Sequence, residues 1–454
     1  MRNEPSNSNQ GRIGILKFWA WQSRSLATAV NFIVMSWLMF YATDTLGMPV
    51  VLVGTLLMVS RIADAFLNLP AGLLIDRTQT RFGKARPYEF AIIGMWLFTW
   101  LLFSIPGEAS LVVQSVWFVL FYTLTSSVCG ALLNTGNTAY MVRAFRTDEQ
   151  RVRIVSLGGF VNMIFAMSIS ISFPILVSNF ATSPERWSSV VLIFAVPLAV
   201  IGMLRFVFVK ETVAAEDEGS ARPNTKDVWN VLKSNPYLRL VALLWFVFSA
   251  INSMRAAQYF FEWVMGDIGL MSVVGIVGFA AIPLMLILPR IVKKFSKRTI
   301  VIFASCMYII GGTIYFLGGS NISLHLVLVA AAFHAMAAIP IAIVADLILL
   351  DVGSYNAYKN GKRMDGTLVS VRNFLGLVGG AIAPGLLGIL LGISGYDGTL
   401  YVQPDAAIFM IRAAMGLVPA VLFAIIAVVF AVFYKLDKQM PKIKVAIENK
   451  NEQE

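Results

Sequence analysis

Apolar runs long enough to cross a bilayer recur from one end of this chain to the other, and that feature decides what it can fold into. A hydrocarbon core of about 30 Å takes roughly 20 helical residues. Runs of that length lie near 16–42, 50–75, 88–105, 111–142, 154–180, 188–209, 237–265, 268–289, 299–318, 322–350, 366–394 and 405–434. They do not alternate with period two, which argues against a barrel. Most contain Gly or Pro, which neighbouring helices accommodate inside a bundle. The expected fold class is an all-α integral membrane protein with twelve transmembrane helices in two six-helix halves. Composition agrees: 58% of the 454 residues are hydrophobic, only 13% are charged, and the mean hydropathy is +0.75. The first 13 residues are polar and lack a signal-peptide pattern, so the first run reads as a retained span.

The cations set the orientation. Of the 36 Lys and Arg, 29 fall at the N-terminus, in the even-to-odd loops with their span edges, and in the C-terminus. One, Arg186, falls in an odd-to-even loop, and six (Arg24, Arg61, Arg205, Arg255, Arg372, Arg412) lie within spans. Positive-inside asymmetry of this size places both termini in the cytoplasm, with the chain in the cytoplasmic (inner) membrane. The net charge of +11 would suit nucleic acid, but here it reads as cytoplasmic loops held beside anionic lipid; no nucleic-acid partner is expected. The one long hydrophilic interruption, 210–236, divides the chain into a cytoplasmic N-terminus (1–15), a six-helix half (16–209), this central loop, a second half (237–434) and a cytoplasmic tail (435–454). Cys129 and Cys306 lie in apolar segments and offer no disulfide framework. No ATP-binding loop, nucleophile elbow or metal helix is present, so neither an enzyme nor a bound cofactor or metal is expected.

The polar residues inside spans are then the informative ones. In RIADAFLNLPAGLLIDRTQTRFGKARP (61–87), Arg61, Asp64 and Asn68 are spaced i, i+3, i+7 and share one helix face. A charge at the bilayer centre costs about 2.5–3.5 kcal/mol, so such a face turns towards the bundle interior, a partner or water. It is either a cation or proton site or a buried pair that locks packing. The second half of the motif brings Gly72, Asp76, Arg77, Arg81, Gly83, Lys84 and Arg86 to the cytoplasmic end of span two. The Gly-x-x-x-Asp-Arg spacing points to close helix approach and an ionic latch that favours one gate state, beyond plain topology anchoring.

Further polar faces flank a cavity or pack helices. Span one carries Trp19, Trp21, Gln22 and Arg24, read either as interface residues or, for Arg24, as reaching the cavity. Asn134 and Asn137 in span four suit the hydroxyls of a polar solute, although the small residues around them also permit close packing. Arg255, Gln258 and Glu262 form a face in span seven, with Tyr259 and Trp263 available to stack on a ring. Arg372 and Asn373 in span eleven suit a carboxylate on a solute, or neutralise a buried acid. His325 reads as interfacial and His334 as a polar core residue or proton relay. Asp346 and Asp351 are placed at a cytoplasmic gate.

The 61–87 motif resembles the signature of the glycoside–pentoside–hexuronide:cation symporters, the melibiose permease family of the major facilitator superfamily. That signature reads R-I-x-D-A, then G-x-x-x-D-x-T, then R-x-G-[KR]-x-[KR]-P. YATDTLGMP (41–49), KSNPYL (233–238), VADLILLDVGSYNAYKNGKRMDG (344–366) and SGY (394–396) extend the resemblance along the chain. The resemblance implies the major facilitator fold, with a substrate site near the midplane between the halves. It also implies import of a glycoside, pentoside or hexuronide with Na⁺, Li⁺ or H⁺. The family's cation-site positions fall on Asp64 and Thr123, with its second carboxylate on Asn68 and the adjacent amide on Leu67. Its buried span-eleven lysine falls on Leu377. The galactoside-binding carboxylates fall on Thr28 and Ser126, and its stacking tryptophan on Gly130, so a melibiose carrier is not expected; Tyr122 matches a family position.

The function expected is a secondary active importer of a glycoside, coupled to H⁺ or Na⁺ at Asp64, Asn68, Thr123 and Arg61 and working as a monomer. The alternatives are a carrier of an amphiphile such as a lysolipid on the same scaffold, and an uncoupled facilitator or membrane sensor.

Overall fold

The computed structural model describes residues 13–77, 80–83, 85–145, 147–211, 233, 235–280, 282–318, 323–360 and 364–451; side chains of 65–79 and of a few other positions lie outside the description. Among the described residues it is helical throughout, apart from turns and one isolated bridge between Thr80 and Gly83. The principal helices are α1 (Ile15–Met35), α2 (Val50–Arg77), α3 (Ala91–Leu102), α4 (Leu111–Tyr122), α5 (Ala131–Ala144), α6 (Asp148–Phe180), α7 (Pro184–Phe208) and α8 (Pro236–Met254). They continue as α9 (Met271–Ala280), α10 (Ile282–Lys294), α11 (Lys297–Leu317), α12 (Leu324–Asn360), α13 (Asp365–Ile393), α14 (Asp405–Arg412), α15 (Val418–Phe433) and α16 (Leu436–Asn451).

Their ends follow from local chemistry. Thr147 accepts the Gln150 amide ahead of α6, whose first turn carries Asp148 and Glu149 against the helix dipole. Ser183 caps α7 and Asn235 caps α8, each followed by a proline at the first helical position. Among the described residues, ten helical segments are long and apolar enough to cross a membrane. The two other expected spans, 50–75 and 88–105, correspond to α2 and to the 3₁₀ turn Arg86–Phe90 with the short α3; they are helical but are not among the ten. Large apolar side chains such as Phe160, Ile193, Val196 and Val200 stand exposed along α6 and α7, as lipid-facing positions require.

Contacts divide the chain into two units, residues 1–48 with 59–219, and residues 49–58 with 220–454. In the first, Trp37, Tyr41, Phe103 and Trp187 interlock their rings near one end, and Trp21, Tyr140 and Phe145 near the other. In the second, Val241, Val301, Ile341, Val344, Ile348 and Phe423 form a continuous core. Leu436, Met440 and Ile443 of α16 dock on that core, so the segment expected as a tail is a helix with one apolar face seated.

The two units repeat each other's details. After a helical interruption, each first long helix ends in a five-residue π segment, Tyr41–Thr45 and Phe260–Val264. In each, the amide just beyond the segment reaches its first carbonyl (Leu46 to Tyr41, Met265 to Phe260) and the amide two residues on reaches its second (Met48 to Ala42, Asp267 to Phe261). A glycine at positive φ follows both, Gly47 and Gly266. A second motif recurs elsewhere. The Arg86 amide donates to the Glu211 carboxylate and its guanidinium to the Phe206 carbonyl. The Arg298 amide donates to Asp437 and its guanidinium to the Ala431 carbonyl. A cation at a helix start thus closes the last turn of a later helix in both units.

Candidate functional site

The polar face of α2 meets an irregular stretch of the helix that follows α4. Between α4 and α5 the chain runs as a π helix over Thr123–Gly130, eight residues long. Wider turns of this kind shift the angular phase of the side chains and recur at functional sites. Here they bring Ser127 to Asp64, whose carboxylate accepts the serine hydroxyl. Beside this pair stand the Arg61 guanidinium, the Tyr122 hydroxyl and Ser126, near enough to interact. Tyr122 is buried and its ring lies parallel to Phe118, with centroids 6.4 Å apart. Arg61, Asp64, Thr123 and Ser126 are half-buried, and the Asn68 side chain is outside the described residues.

Arg61, Asp64, Tyr122 and Ser126 therefore stand together; the face spacing anticipates only that Arg61 and Asp64 share a face. Ser127 was not anticipated. The signal was present in the run TSSVC, but its phase depends on the π segment, which no helical periodicity predicts. Chemically, the cluster offers one carboxylate, several hydroxyls and a fixed cation, a set able to take up and release one positive charge.

A second charged cluster lies in the same unit. Arg24 of α1 and Arg205 of α7 flank Glu89, each Nε 3.6 Å from a carboxylate oxygen. All three are buried, at 4%, 0% and 2% exposure, so two cations share one acid away from bulk water. Asn137 of α5 accepts from both arginines, at 2.6 Å from Arg24 Nη2 and 2.9 Å from Arg205 Nη1. The Arg205 guanidinium lies 3.3 Å over the Trp21 ring, an arrangement that stabilises a desolvated cation. Arg24 and Asn137 thus face each other inside this unit. Thr28 donates back to the Arg24 carbonyl at 2.9 Å, and Asn134 is exposed. Glu89 was overlooked, although it is an acid within reach of an apolar run that has two lone arginines elsewhere in its half.

In the second unit the chain breaks between α8 and the turn Ala256–Tyr259. Arg255 at the break is left-handed, with φ 60°, a conformation costly for a side chain of that size. Gln258 and Tyr259 are buried and Glu262 is half-buried. Tyr259 packs edge-on to Tyr396, whose hydroxyl accepts from Trp263 Nε1 at 2.9 Å. Arg372 pairs with Asp346, reaches Asn373 and lies 4.4 Å over the Trp245 ring. Asp351 pairs with Lys297. His334 sits between the Tyr308 and Tyr315 rings.

Of the expected gate residues, Lys84, the side chains of Asp76 and Arg77 and the surroundings of Gly72 lie outside the described residues, and so do the expected close helix approach at Gly72 and the ionic latch. Arg81 is exposed, 4.8 Å over Phe82. Gly83, at φ +113°, leaves room for the Glu211 carboxylate, which a Cβ there would meet at 2.5 Å. Glu211 accepts the amides of Ala85 and Arg86 at 2.9 and 2.8 Å. Glu211 thus ties the end of α7 to the turn at Ala85 and Arg86.

The chain matches the family described as MFS/sugar transport protein over residues 24–438. It is 29% identical over 430 residues to the isoprimeverose transporter of Lactiplantibacillus pentosus, covering 93% of this chain and 88% of that protein. It is 27% identical over 423 residues to the glucuronide carrier protein homolog of Escherichia coli (strain K12), covering 91% of each. Against a putative sulfoquinovose importer of Salmonella typhimurium it is 26% identical over 423 residues, covering 89% of this chain and 86% of that one. Crystal structures of the nucleoside transporter NupG and of a bacterial homolog to the human lysosomal transporter Spinster share its fold. Each has a TM-score of 0.62 at 13% identity; they cover 93% and 95% of this chain, and 100% and 99% of their own. The chain belongs to the MFS/sugar transport protein family, as the 61–87 motif anticipates, and is a multi-pass membrane transporter rather than an enzyme.

Proposed function

We propose that this transporter imports a glycoside, pentoside or hexuronide by symport with H⁺ or Na⁺, through alternating access. The observation that carries the reading is the Asp64–Ser127 pair beside Arg61, Tyr122 and Ser126. It is a carboxylate within an apolar span, held by a hydroxyl and set near a fixed cation. Uptake of one positive charge at Asp64 removes the cost of burying the carboxylate and favours the loaded, closed state. A single carboxylate with hydroxyls holds a proton more readily than it completes the oxygen cage of a metal cation, so H⁺ is the favoured coupling ion. The relatives named for isoprimeverose, glucuronide and sulfoquinovose define the first substrates to try. The transporting unit is a single chain in the inner membrane with both termini cytoplasmic, as the distribution of Lys and Arg supports.

The test is solute uptake by proteoliposomes under an imposed proton or sodium gradient, across a panel of glycosides, pentosides and uronides. Asp64→Asn is expected to lose uphill accumulation, by about 100-fold on the scale of a lost charge interaction of about 3 kcal/mol, and to retain downhill exchange. Undiminished concentrative uptake by Asp64→Asn refutes the assignment.

A further inference from the structure

A groove of about 220 Å³ opens on the apolar surface between α1 and α7. Leu16, Trp19 and Leu26 form one wall and Ile201, Leu204 and Phe208 the other. Its floor is Ala20 and Ser23, and the Ser23 hydroxyl is already committed to the Ala20 carbonyl at 2.8 Å. The groove is therefore apolar and unsuited to a sugar. Leu16 and Trp19 are 63% and 51% exposed, and the flanking residues of α7 belong to a helix apolar enough to cross a membrane. A groove of this chemistry on a bilayer-facing surface fits a hydrocarbon chain.

The charge behind the groove selects among lipids. The residues next to Ser23 and Leu204 are Arg24 and Arg205, on the inward faces of the same two helices. With Glu89 they leave one uncompensated positive charge buried among the described residues. The Nε and Nη2 atoms of Arg205 have no hydrogen-bond partner among those residues. Burial keeps bulk water from screening this charge, so its field reaches the nearby lipid surface with little attenuation. Lys17, in the first turn of α1 beside Leu16, adds a second cation at the same end; its ammonium donates to the Ala144 carbonyl. A zwitterionic headgroup gains little from that field, whereas an anionic one gains directly.

We propose that the α1–α7 groove is a binding site for an anionic glycerophospholipid of the leaflet facing the chain's N-terminus. One acyl chain lies between Trp19 and Leu204, and the headgroup sits near Lys17 in the field of the Arg24–Glu89–Arg205 cluster. The lipid thereby braces α1 against α7 on the side opposite the cluster.

The experiment uses the full chain in phosphatidylcholine nanodiscs containing a trace of phosphatidylglycerol with a diazirine in its acyl chain. After irradiation, labelled peptides are mapped by mass spectrometry, with unlabelled phosphatidylglycerol or phosphatidylcholine as competitor. Label is expected in peptides covering 16–26 and 201–208, with phosphatidylglycerol competing about five-fold better, the preference that one buried charge roughly 10 Å away supports. Ile201→Trp, a substitution at an exposed position, fills the groove and removes that label while leaving label on other helices. Equal competition by the two lipids, label spread evenly over the bilayer-facing helices, or full labelling of Ile201→Trp overturns the proposal. Arg205→Met, if it folds, lowers the preference at least two-fold, Lys17 retaining the rest, without abolishing acyl-chain labelling; an undiminished preference likewise overturns it.

Discussion

The Arg24–Glu89–Arg205 cluster makes a prediction that distinguishes charge balance from contact counting. Two guanidinium groups share one carboxylate, and all three are sealed from solvent. Glu89→Gln keeps shape and most packing but leaves two buried cations with no anion. Removing one partner of a buried ion pair costs about 3–5 kcal/mol, because the remaining charge stays desolvated and uncompensated. Arg205→Met removes visibly more. It deletes the 2.9 Å bond to Asn137, worth about 1.5–3 kcal/mol, and the contact 3.3 Å over Trp21, worth about 2 kcal/mol. It also removes the surplus charge, leaving Arg24 and Glu89 as a neutral pair, so the gain offsets much of the loss and the net cost is about 1–2 kcal/mol. At about 2–4 °C per kcal/mol for a unit of this size, Glu89→Gln is expected to lower Tm by roughly 10 °C and Arg205→Met by roughly 5 °C. Fluorescence-detected size exclusion of heated detergent extracts reads the difference directly. If Arg205→Met proves as damaging as Glu89→Gln, the surplus charge is not what governs this cluster, and the electrostatic basis of the lipid site weakens with it.

Two further outcomes follow from the geometry. Ser127→Ala removes a hydroxyl that donates to Asp64; uphill uptake should fall about ten-fold, the worth of one charge-assisted hydrogen bond, while Thr123→Ala changes it less, and gradient-driven uptake by the two variants side by side reverses that order if the sequence-based choice of Thr123 is the right one. Gly416, in the π segment Ala413–Leu417 between α14 and α15, crosses Gly312 so closely that a Cβ on Gly416 would overlap the Gly312 carbonyl oxygen, so Gly416→Ala should force that segment away from α11, cost about 1–3 kcal/mol and lower Tm, and an unchanged melt would show that the crossing yields freely.

How much of this was legible in the sequence depends on the period of the structure concerned. Arg61 and Asp64 were read on one face because α2 keeps the ordinary helical period through them. Ser127 was not, because the π segment Thr123–Gly130 shifts the phase that places it. Glu211 was read as the start of a charged linker, since nothing local reveals that it turns back to the amides of Ala85 and Arg86, 126 and 125 positions earlier. The docking of α16 was masked by its polar composition, although Leu436, Met440 and Ile443 carry the i, i+4, i+7 spacing of a seated face.

The same contrast explains why the duplication was seen only as an arrangement of spans. Its repeated parts are backbone devices: a π segment closing on two carbonyls, and an arginine amide bonded to a carboxylate that differs between the copies, Glu211 in one and Asp437 in the other. Backbone geometry of this kind tolerates Tyr41 opposite Phe260 and Thr43 opposite Glu262, so the side chains drift while the scaffold persists. Buried charge does not drift in that way, because an unbalanced charge in an apolar interior costs several kcal/mol. In the second unit two cations are balanced by acids, Arg372 by Asp346 and Lys297 by Asp351, while Arg412 donates to the Phe316 carbonyl. The first unit keeps its surplus cation beside Glu89, and among the described residues it alone sets a span carboxylate, Asp64, against a hydroxyl and an arginine in a π-helical stretch. The carboxylate held by a hydroxyl beside an arginine is the feature that places the proposed cation step in the first unit.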